Sequence, residues 1–231
     1  MFSDKIYELI GIRLTPIQLE QFTNYYQFLI EYNQHTNLTR ITDEKEVYYK
    51  HFYDSLLLAK SVDMTKVETI CDMGAGAGFP SIPLKIVYPH LTVTIVDSLN
   101  KRITFLTQLA ERLNLERVIF IHDRAELFAH KHQAKFDLVT ARALGALDLI
   151  VEMGLPMVKV GGRMIAPKSA KYQVEIDEAL SLIKQVGGKI DKIDEIELPF
   201  DYGFRVNITI NKIKHVSGFP RTYAQMLKNR G

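Results

Sequence analysis

The sequence ETICDMGAGAGFPSIPLKI, residues 68–86, joins an apolar run to a helical pattern through three alternate glycines. Asp72 lies near the end of the apolar run, and Gly74, Gly76 and Gly78 follow it. Glycine allows a sharp turn and lets backbone N–H groups approach a ligand closely. A bare strand-to-helix turn would also use glycines, but the succession of strand, loop and helix favours a loop that binds a ligand.

Strand-like and helical patterns alternate after residue 66. The strand-like runs are 67–73, 91–96, 118–122, 136–140 and 163–166, and the helical runs between and after them are 81–87, 101–113, 146–158 and 170–186. Such alternation predicts a parallel sheet with helices on both faces. The last two strand-like runs, 190–198 and 205–213, are so close along the chain that they can pair only as an antiparallel hairpin. The predicted α/β fold is the Rossmann-like class I methyltransferase fold, with a mostly parallel seven-stranded sheet and an antiparallel closing hairpin.

The chain before residue 66 shows helical patterns alone. Helical stretches are predicted at 2–10, at 16–32, from residue 42 onward and at 54–61. Thr15 and Pro16 are the residue types preferred at the cap and at the first position of a helix. We therefore predict N-terminal helices in a region of residues 1–65, followed by a methyltransferase domain of residues 66–231.

The composition excludes several classes of protein. Of the 231 residues, 47% are hydrophobic and 24% are charged, which is typical of a folded soluble protein. The net charge of +2 permits nucleic-acid binding without requiring it. Cys71 is the single cysteine, so neither a disulfide framework nor a multi-thiolate metal site can form within the chain. There is no signal-like or membrane-spanning run and no metal-binding spacing of histidines, so a cytoplasmic, metal-free monomer is expected.

Asp97 closes the second strand, 19 residues beyond Gly78. A carboxylate at this place can accept hydrogen bonds from both hydroxyls of a ribose, although it could also be an exposed turn residue. NAD and S-adenosylmethionine both contain such a ribose. The G-x-G-x-G loop runs into Phe79, whereas a dinucleotide fingerprint needs its third glycine at that position. With the closing hairpin, this spacing favours S-adenosylmethionine.

A second set of candidate ligand contacts follows the third strand, in IHDRAEL. Asp123 or Glu126 could receive the adenine amino group, and a backbone N–H near Ala125 could reach a ring nitrogen. Acids at the carboxyl ends of parallel strands face the ligand crevice of such sheets. The alternative is that they are solvated residues at a helix start.

The methyl acceptor is inferred by exclusion. Methylation of pyrimidine carbon 5 needs a cysteine nucleophile, and Cys71 within the first strand is instead a small core residue. The Asp/Asn-Pro-Pro-aromatic motif for exocyclic amines is missing after the fourth strand, where the sequence reads VTARALGAL and Arg142 stands in place of an acid. Acceptors that need no deprotonation remain, and guanine N7 is one. Catalysis would then be alignment without a catalytic side chain.

Eight blocks of the sequence resemble one known family. They are YNQHTNLTRI, HFYDSLLLA, CDMGAGAGFPSIPLKI, IVDSLNKRITFL, DRAE, FDLVTARAL, IAPKS and GFPRTYAQMLKN. The chain resembles the bacterial small-subunit ribosomal RNA guanine-N7 methyltransferases of the glucose-inhibited division B family. The resemblance implies S-adenosylmethionine as the donor and a guanine in the decoding region of 16S ribosomal RNA as the acceptor. By motif match it implies donor contacts from Gly74, Phe79, Ala125, Glu126 and Arg142.

Basic side chains after strand ends and near the C-terminus are candidates for contact with RNA phosphates. Singly, each could equally be a solvated surface charge. The candidates are Lys101, Arg102, Arg124, Lys168, Arg221, Lys228 and Arg230.

The sequence alone leaves three other functions open. They are a small-molecule methyltransferase of the same fold, a nucleotide-binding oxidoreductase, and an RNA-binding module with an inactive donor site. Naked RNA, the assembling small subunit and the mature small subunit are equally open as substrates.

Overall fold

The computed structural model describes residues 1–228 and contains one seven-stranded sheet. The strands are β1 (Thr69–Met73), β2 (Thr92–Asp97), β3 (Val118–His122), β4 (Phe136–Thr140), β5 (Val158–Lys168), β6 (Gly188–Glu197) and β7 (Phe204–Lys212). Their order across the sheet is β3-β2-β1-β4-β5-β7-β6. The pairs among β1 to β5 are parallel, and β7 is antiparallel to both β5 and β6. The predicted sheet and its closing hairpin are confirmed.

Eleven α-helices surround or precede this sheet in residues 1–228. They are α1 (Phe2–Ile10), α2 (Pro16–Thr36), α3 (Glu44–Val47), α4 (Asp54–Leu56), α5 (Leu58–Ser61), α6 (Ser81–Val87), α7 (Asn100–Arg112), α8 (Ala125–Lys131), α9 (Leu147–Gly154), α10 (Tyr172–Gln185) and α11 (Tyr223–Lys228). A π-helical turn, Tyr48–Tyr53, joins α3 to α4. No helix in this part of the chain is long and apolar enough to cross a membrane.

The start of α2 follows from its sequence. The Thr15 hydroxyl accepts a hydrogen bond from the Gln18 N–H at 3.2 Å, and the Gln18 side chain accepts one from the Thr15 N–H at 2.9 Å. This reciprocal capping satisfies two N–H groups that a helix start leaves free. The Gln18 amide also donates to the Ile86 carbonyl at 2.8 Å, so the same residue fastens α2 to the end of α6.

Two hydrophobic cores lie on opposite faces of the sheet. The N-terminal helices share the first core with α6, α7 and the strands, and the rings of Phe28 and Phe105 stack there at 5.3 Å. The second core lies under α8, α9 and α10 and includes Cys71, whose thiol is buried. Burial of a large apolar side chain is worth roughly 1.5–3 kcal/mol, so both faces contribute strongly. The expectation that Cys71 is a core residue is confirmed.

The observed elements differ from the predicted ones around α9. A helix was predicted over 146–158, but α9 ends at Gly154 and a 3-10 turn, Leu155–Met157, follows. Pro156 lacks the N–H that would continue the helix, which explains the early end. β5 therefore begins at Val158 rather than 163. The helix α8 was not among the predicted helical runs, although a helix start after the third strand was considered as the alternative role of its acids.

Candidate active site

The glycine loop takes a conformation that other residues adopt poorly. Gly74, Gly76 and Gly78 have φ angles of 69°, 61° and 99°. A Cβ atom on Gly74 would lie 2.6 Å from Leu144 Cδ1, and one on Gly78 would lie 2.7 Å from the Tyr25 hydroxyl oxygen. The backbone geometry at all three positions, together with crowding at Gly74 and Gly78, therefore requires glycine.

Asp97 lies beside this loop at the end of β2. Its Oδ1 accepts from the Leu99 N–H at 2.9 Å. Its Oδ2 accepts from the Gly76 N–H at 3.4 Å and from Arg102 Nη1 at 3.2 Å. The side chain is buried, and the half-buried Arg102 guanidinium neutralises its charge. Asp97, the predicted partner of the ribose hydroxyls, thus lies next to the glycine loop. Arg102, which was predicted to contact RNA, is instead ion-paired with Asp97.

Asp72 lies just before the glycine loop, and no role was predicted for it from the sequence. It is fully buried at the end of β1, and its Oδ2 accepts from the Ser81 N–H at 3.2 Å. Its Oδ1 and the Ser81 hydroxyl have no hydrogen-bond partner within residues 1–228. Burial raises the pKa of Asp72 to about 7. An unpartnered buried carboxylate oxygen next to the loop fits a ligand that brings a hydrogen-bond donor or a cation.

The start of α8 is the third place where the sequence predicts contacts with the ligand. Ala125 is the first residue of this helix, and no side chain caps its N-terminus. The buried Glu126 accepts a hydrogen bond from Arg124 Nε, and the Arg124 guanidinium lies over the Tyr223 ring at 4.7 Å. Arg124, predicted to contact RNA, therefore already binds a predicted donor contact.

Arg142 follows β4 and joins the glycine loop to the N-terminal helices. Its Nη1 donates to Asp54 Oδ2 at 2.7 Å, and its guanidinium lies over the Phe79 ring at 4.9 Å. Arg205 Nε binds the other oxygen of Asp54 at 3.0 Å. The buried Asp54 carboxylate thus holds two guanidinium groups side by side. Neither Asp54 nor Arg205 was predicted, although Asp54 lies in the quoted block HFYDSLLLA.

The ring of His51 stacks on Phe79 at 4.5 Å. Its Nδ1 lies 3.3 Å from Arg142 Nη2, which can only donate, so Nδ1 accepts and Nε2 carries the proton toward Thr39 Oγ1 at 2.9 Å. Burial and the Arg142 charge lower the pKa of His51 to about 3. His51 is therefore a neutral packing residue at physiological pH.

A cavity of about 540 Å³ lies beside Arg142, between the N-terminal helices and the ends of β4 and β5. Its volume is in the range of small-ligand sites. Lys168 Nζ donates to Glu175 Oε2 at 2.6 Å and to the Gly145 carbonyl at 2.7 Å on one side of it. The charged side chains that line the cavity are Lys50, Asp54, Arg142, Lys168, Glu175 and Arg205.

The remaining predicted RNA contacts are dispersed. Lys101 is exposed, with Nζ 3.4 Å from the Thr36 carbonyl. Arg221 makes two charge-assisted bonds to the buried Glu152, at 2.7 and 2.6 Å, on the α9 side of the protein. Lys228 is exposed in α11, and Arg230 lies outside the described residues. Residues 1–228 contain no group of three or more side chains that could hold a metal ion.

Two solved structures share this fold at low sequence identity. M. jannaschii TYW2 in complex with AdoMet matches with a TM-score of 0.53 and 18% identity, covering 63% of this chain and 69% of that chain. A 16S rRNA (adenine(1408)-N(1))-methyltransferase from Catenulisporales acidiphilia matches with a TM-score of 0.51 and 12% identity, covering 64% of this chain and 86% of that chain. At these identities the likeness shows the fold alone.

Proteins of much higher sequence identity show the family of this chain. The family model described as rRNA small subunit methyltransferase G (GidB) matches residues 18–197. A ribosomal RNA small subunit methyltransferase G of Acholeplasma laidlawii is 52% identical over 223 residues, 96% of this chain and 96% of the relative. Its namesake in Staphylococcus saprophyticus is 55% identical over 203 residues, 87% of this chain and 85% of the relative. The chain therefore belongs to the rRNA small subunit methyltransferase G family.

Proposed function

We propose that this chain transfers a methyl group from S-adenosylmethionine to N7 of a guanine in 16S ribosomal RNA, acting as a monomer in the cytoplasm. The observation that carries the proposal is the place of the cavity: Arg142 lines it, and the same Arg142 guanidinium lies over the ring of Phe79 in the glycine loop. A base in the cavity would then lie next to a donor held by the loop. Family membership supports the reaction class and the RNA substrate.

The donor would be held by residues at the ends of β1, β2, β3 and β4. Asp97 would accept from the ribose hydroxyls, and Asp72 would face the charged end of the molecule. Glu126 and the Ala125 N–H would contact the adenine. When bound, S-adenosylmethionine supplies an electrophilic methyl group on a sulfonium. The glycine loop would provide backbone N–H groups, and Arg142, whose guanidinium only donates hydrogen bonds, would orient the ligands without acting as a base.

Alignment of the acceptor base with the donor in the cavity is then the main source of catalysis. Guanine N7 has a free lone pair, so no proton has to be removed from it before transfer. His51 has a pKa of about 3 and its Nδ1 already accepts from Arg142, which leaves it no role as a base. We further propose that residues 1–65 form an N-terminal helical region and that residues 66–231 form the methyltransferase domain that binds S-adenosylmethionine.

The test is transfer of a radiolabelled methyl group to small subunits that lack the modification, with the product base identified by digestion. Labelled 7-methylguanine at one position of the RNA is the expected product. Naked 16S RNA and mature small subunits, offered in parallel, identify the preferred substrate. Donor binding without any transfer to RNA would instead support a small-molecule methyltransferase or an inactive binding module.

Replacing Asp97 by alanine should weaken donor binding by about 1–3 kcal/mol, because charge-assisted hydrogen bonds in a buried site would be lost. Calorimetric titration with S-adenosylmethionine measures the change. Arg102→Ala is the matched control, since it removes the ion pair but keeps the carboxylate. Donor affinity that stays unchanged in a folded Asp97→Ala protein would refute the ribose assignment.

Donor affinity should rise about tenfold from pH 6 to pH 8, because Asp72 with a pKa of about 7 becomes ionised in this interval and attracts the cationic donor. The same ionisation of Asp72 should lower the stability of the folded protein. A carboxyl whose pKa is raised on folding stabilises the protein below about pH 4, and that stabilisation is lost as the pH rises through 7. Titrations at several pH values test the first effect. An equally steep rise in Asp72→Asn would assign it to another group.

A further inference from the structure

We propose that Lys168 and Glu175 read the Watson–Crick edge of the acceptor guanine and thereby set the base specificity of the enzyme. The inference rests on the proposed function, because it takes the cavity as the place of the acceptor base. It adds a recognition role for two residues that line one wall of this cavity.

The two side chains form a fixed pair. Lys168 ends β5 and Glu175 lies in the first turn of α10. Lys168 Nζ lies 2.6 Å from Glu175 Oε2 and 2.7 Å from the Gly145 carbonyl oxygen, and the Leu147 N–H donates to the same Oε2 at 2.8 Å. The Lys168 side chain is only 9% exposed and that of Glu175 is 24% exposed. The pair is therefore held in one arrangement before any ligand arrives.

The pair keeps one donor and one acceptor free. An ammonium group has three N–H bonds, and Lys168 uses two of them within the protein. Glu175 Oε2 receives both the ammonium and the Leu147 N–H, whereas Oε1 has no hydrogen-bond partner within residues 1–228. A donor and an acceptor thus lie next to each other on the cavity wall.

Other charged groups on the cavity cannot present the same pattern. Asp54 is the second carboxylate there, and its two oxygens are occupied by Arg142 and Arg205. Arginine offers donors only. Among the described side chains that line the cavity, Glu175 is therefore the carboxylate with an oxygen left for a base.

Guanine complements this pattern and adenine opposes it. The Watson–Crick edge of guanine places the O6 acceptor beside the N1–H donor, so O6 can receive the Lys168 N–H while N1–H donates to Glu175 Oε1. Adenine presents an amino donor and an N1 acceptor in the same places, which sets donor against donor and acceptor against acceptor. Because N7 lies on the other side of O6 from N1, this binding leaves its lone pair free for the methyl group.

Buried polar groups that lose their partners make such sites strongly selective. We therefore expect the wild-type protein to reject 2,6-diaminopurine at the target position of a rebuilt small subunit. This base keeps N7 and the 2-amino group and changes only O6 and N1–H. Transfer should fall at least about 100-fold relative to guanine. Transfer at the guanine rate would overturn the proposal without any variant protein.

The Glu175→Gln variant tests the acceptor half of the pair. The Lys168 ammonium and the Leu147 N–H would hold the amide oxygen at the Oε2 position, so the amide NH2 would replace Oε1. Transfer to guanine should fall about 100-fold, and the ratio of kcat/KM for 2,6-diaminopurine to that for guanine should rise. Glu178→Gln, an exposed change on the same helix, is the control and should leave the ratio unchanged.

Donor titration shows whether each variant remains folded, because Glu175 lies outside the donor-binding set. A loss of activity with an unchanged base ratio would mean that Glu175 only supports the fold, and the proposal would be wrong. Failure of this inference and failure of the proposed function give different results. If the wild-type protein methylates no guanine N7 in small subunits, the proposed function fails; if it does and the base ratio does not move, only this inference fails.

Discussion

An Asp54→Ala variant is expected to lose nearly all methyl transfer and about 3 kcal/mol of unfolding free energy. The Asp54 carboxylate is buried and binds Arg142 at 2.7 Å and Arg205 at 3.0 Å. Removing one member of a buried ion pair leaves the other charges uncompensated, which costs about 3–5 kcal/mol when they are fully buried. The guanidinium groups here keep some exposure, so the lower end applies. Denaturant unfolding and single-turnover transfer measure the two losses.

The same change should also weaken the donor side, because Arg142 lies against Phe79 of the glycine loop. Two guanidinium groups without their shared carboxylate repel each other, and Arg142 would leave its place. Asp54→Asn should be intermediate, since an amide keeps one acceptor oxygen. Rapid transfer by a folded Asp54→Ala protein would show that the position of Arg142 does not matter.

A matched control is available at the amino ends of the parallel strands. Asp137 accepts from the Thr69 N–H at 2.8 Å and pairs with Lys159 at 2.6 Å, close to the start of the parallel strands. Asp137→Ala should lower the free energy of unfolding while transfer by the folded fraction remains normal. The comparison separates loss of an ion pair in general from loss of this one.

Local sequence signals were sufficient to predict the glycine loop and the place of Asp97. The glycines of the loop are needed because all three have positive φ angles, and Asp97 is the last residue of the second strand. The cap at Thr15 depends on residues within one helical turn. Each of these features is decided by neighbours along the chain, so pattern and spacing predict it.

The cavity beside Arg142 depends on partners that are far apart along the chain. Asp54 and Arg205 meet because the N-terminal helices pack beside the closing hairpin, and no pattern in either segment indicates the other. The same limit applies to Arg102, Arg124 and Arg221, whose basic character suggested RNA but whose charges are paired within the protein. A positive side chain in a sequence does not reveal whether a carboxylate has already bound it.

The sheet order explains part of what the sequence left undetermined. β4, β5 and β7 are neighbours, and β7 runs antiparallel to β5 with Lys168 opposite Val206. The end of β5 and the start of β7 therefore lie at the same end of the sheet, near Arg142, which comes shortly after β4. This register brings Lys168, Arg205 and Arg142 to the same cavity, although the hairpin prediction alone did not say which strand it would join.

Replacement of N7 in the target guanine should abolish methyl transfer. A small subunit rebuilt with 7-deazaguanine at the target position should bind the protein about as well as the guanine subunit and should receive no methyl group. This base replaces N7 with a carbon and keeps O6, N1–H and the 2-amino group, so the proposed contacts to Lys168 and Glu175 survive. Filter binding measures the first expectation and label transfer the second, with the guanine subunit rebuilt in the same way as the control.

The result also decides what Glu175 does. If the acceptor were N1 or the 2-amino group, the free Oε1 of Glu175 could remove a proton, and 7-deazaguanine would be methylated at the normal rate. With N7 as the acceptor, no group has to be deprotonated, and Glu175 only holds N1–H. The single-turnover rate at saturating donor should then be nearly flat from about pH 6 to 9, because saturation removes the effect of Asp72 on donor binding, whereas general-base catalysis would add a limb. Loss of transfer to 7-deazaguanine together with a flat profile would therefore assign recognition to Glu175 and alignment to the cavity as a whole.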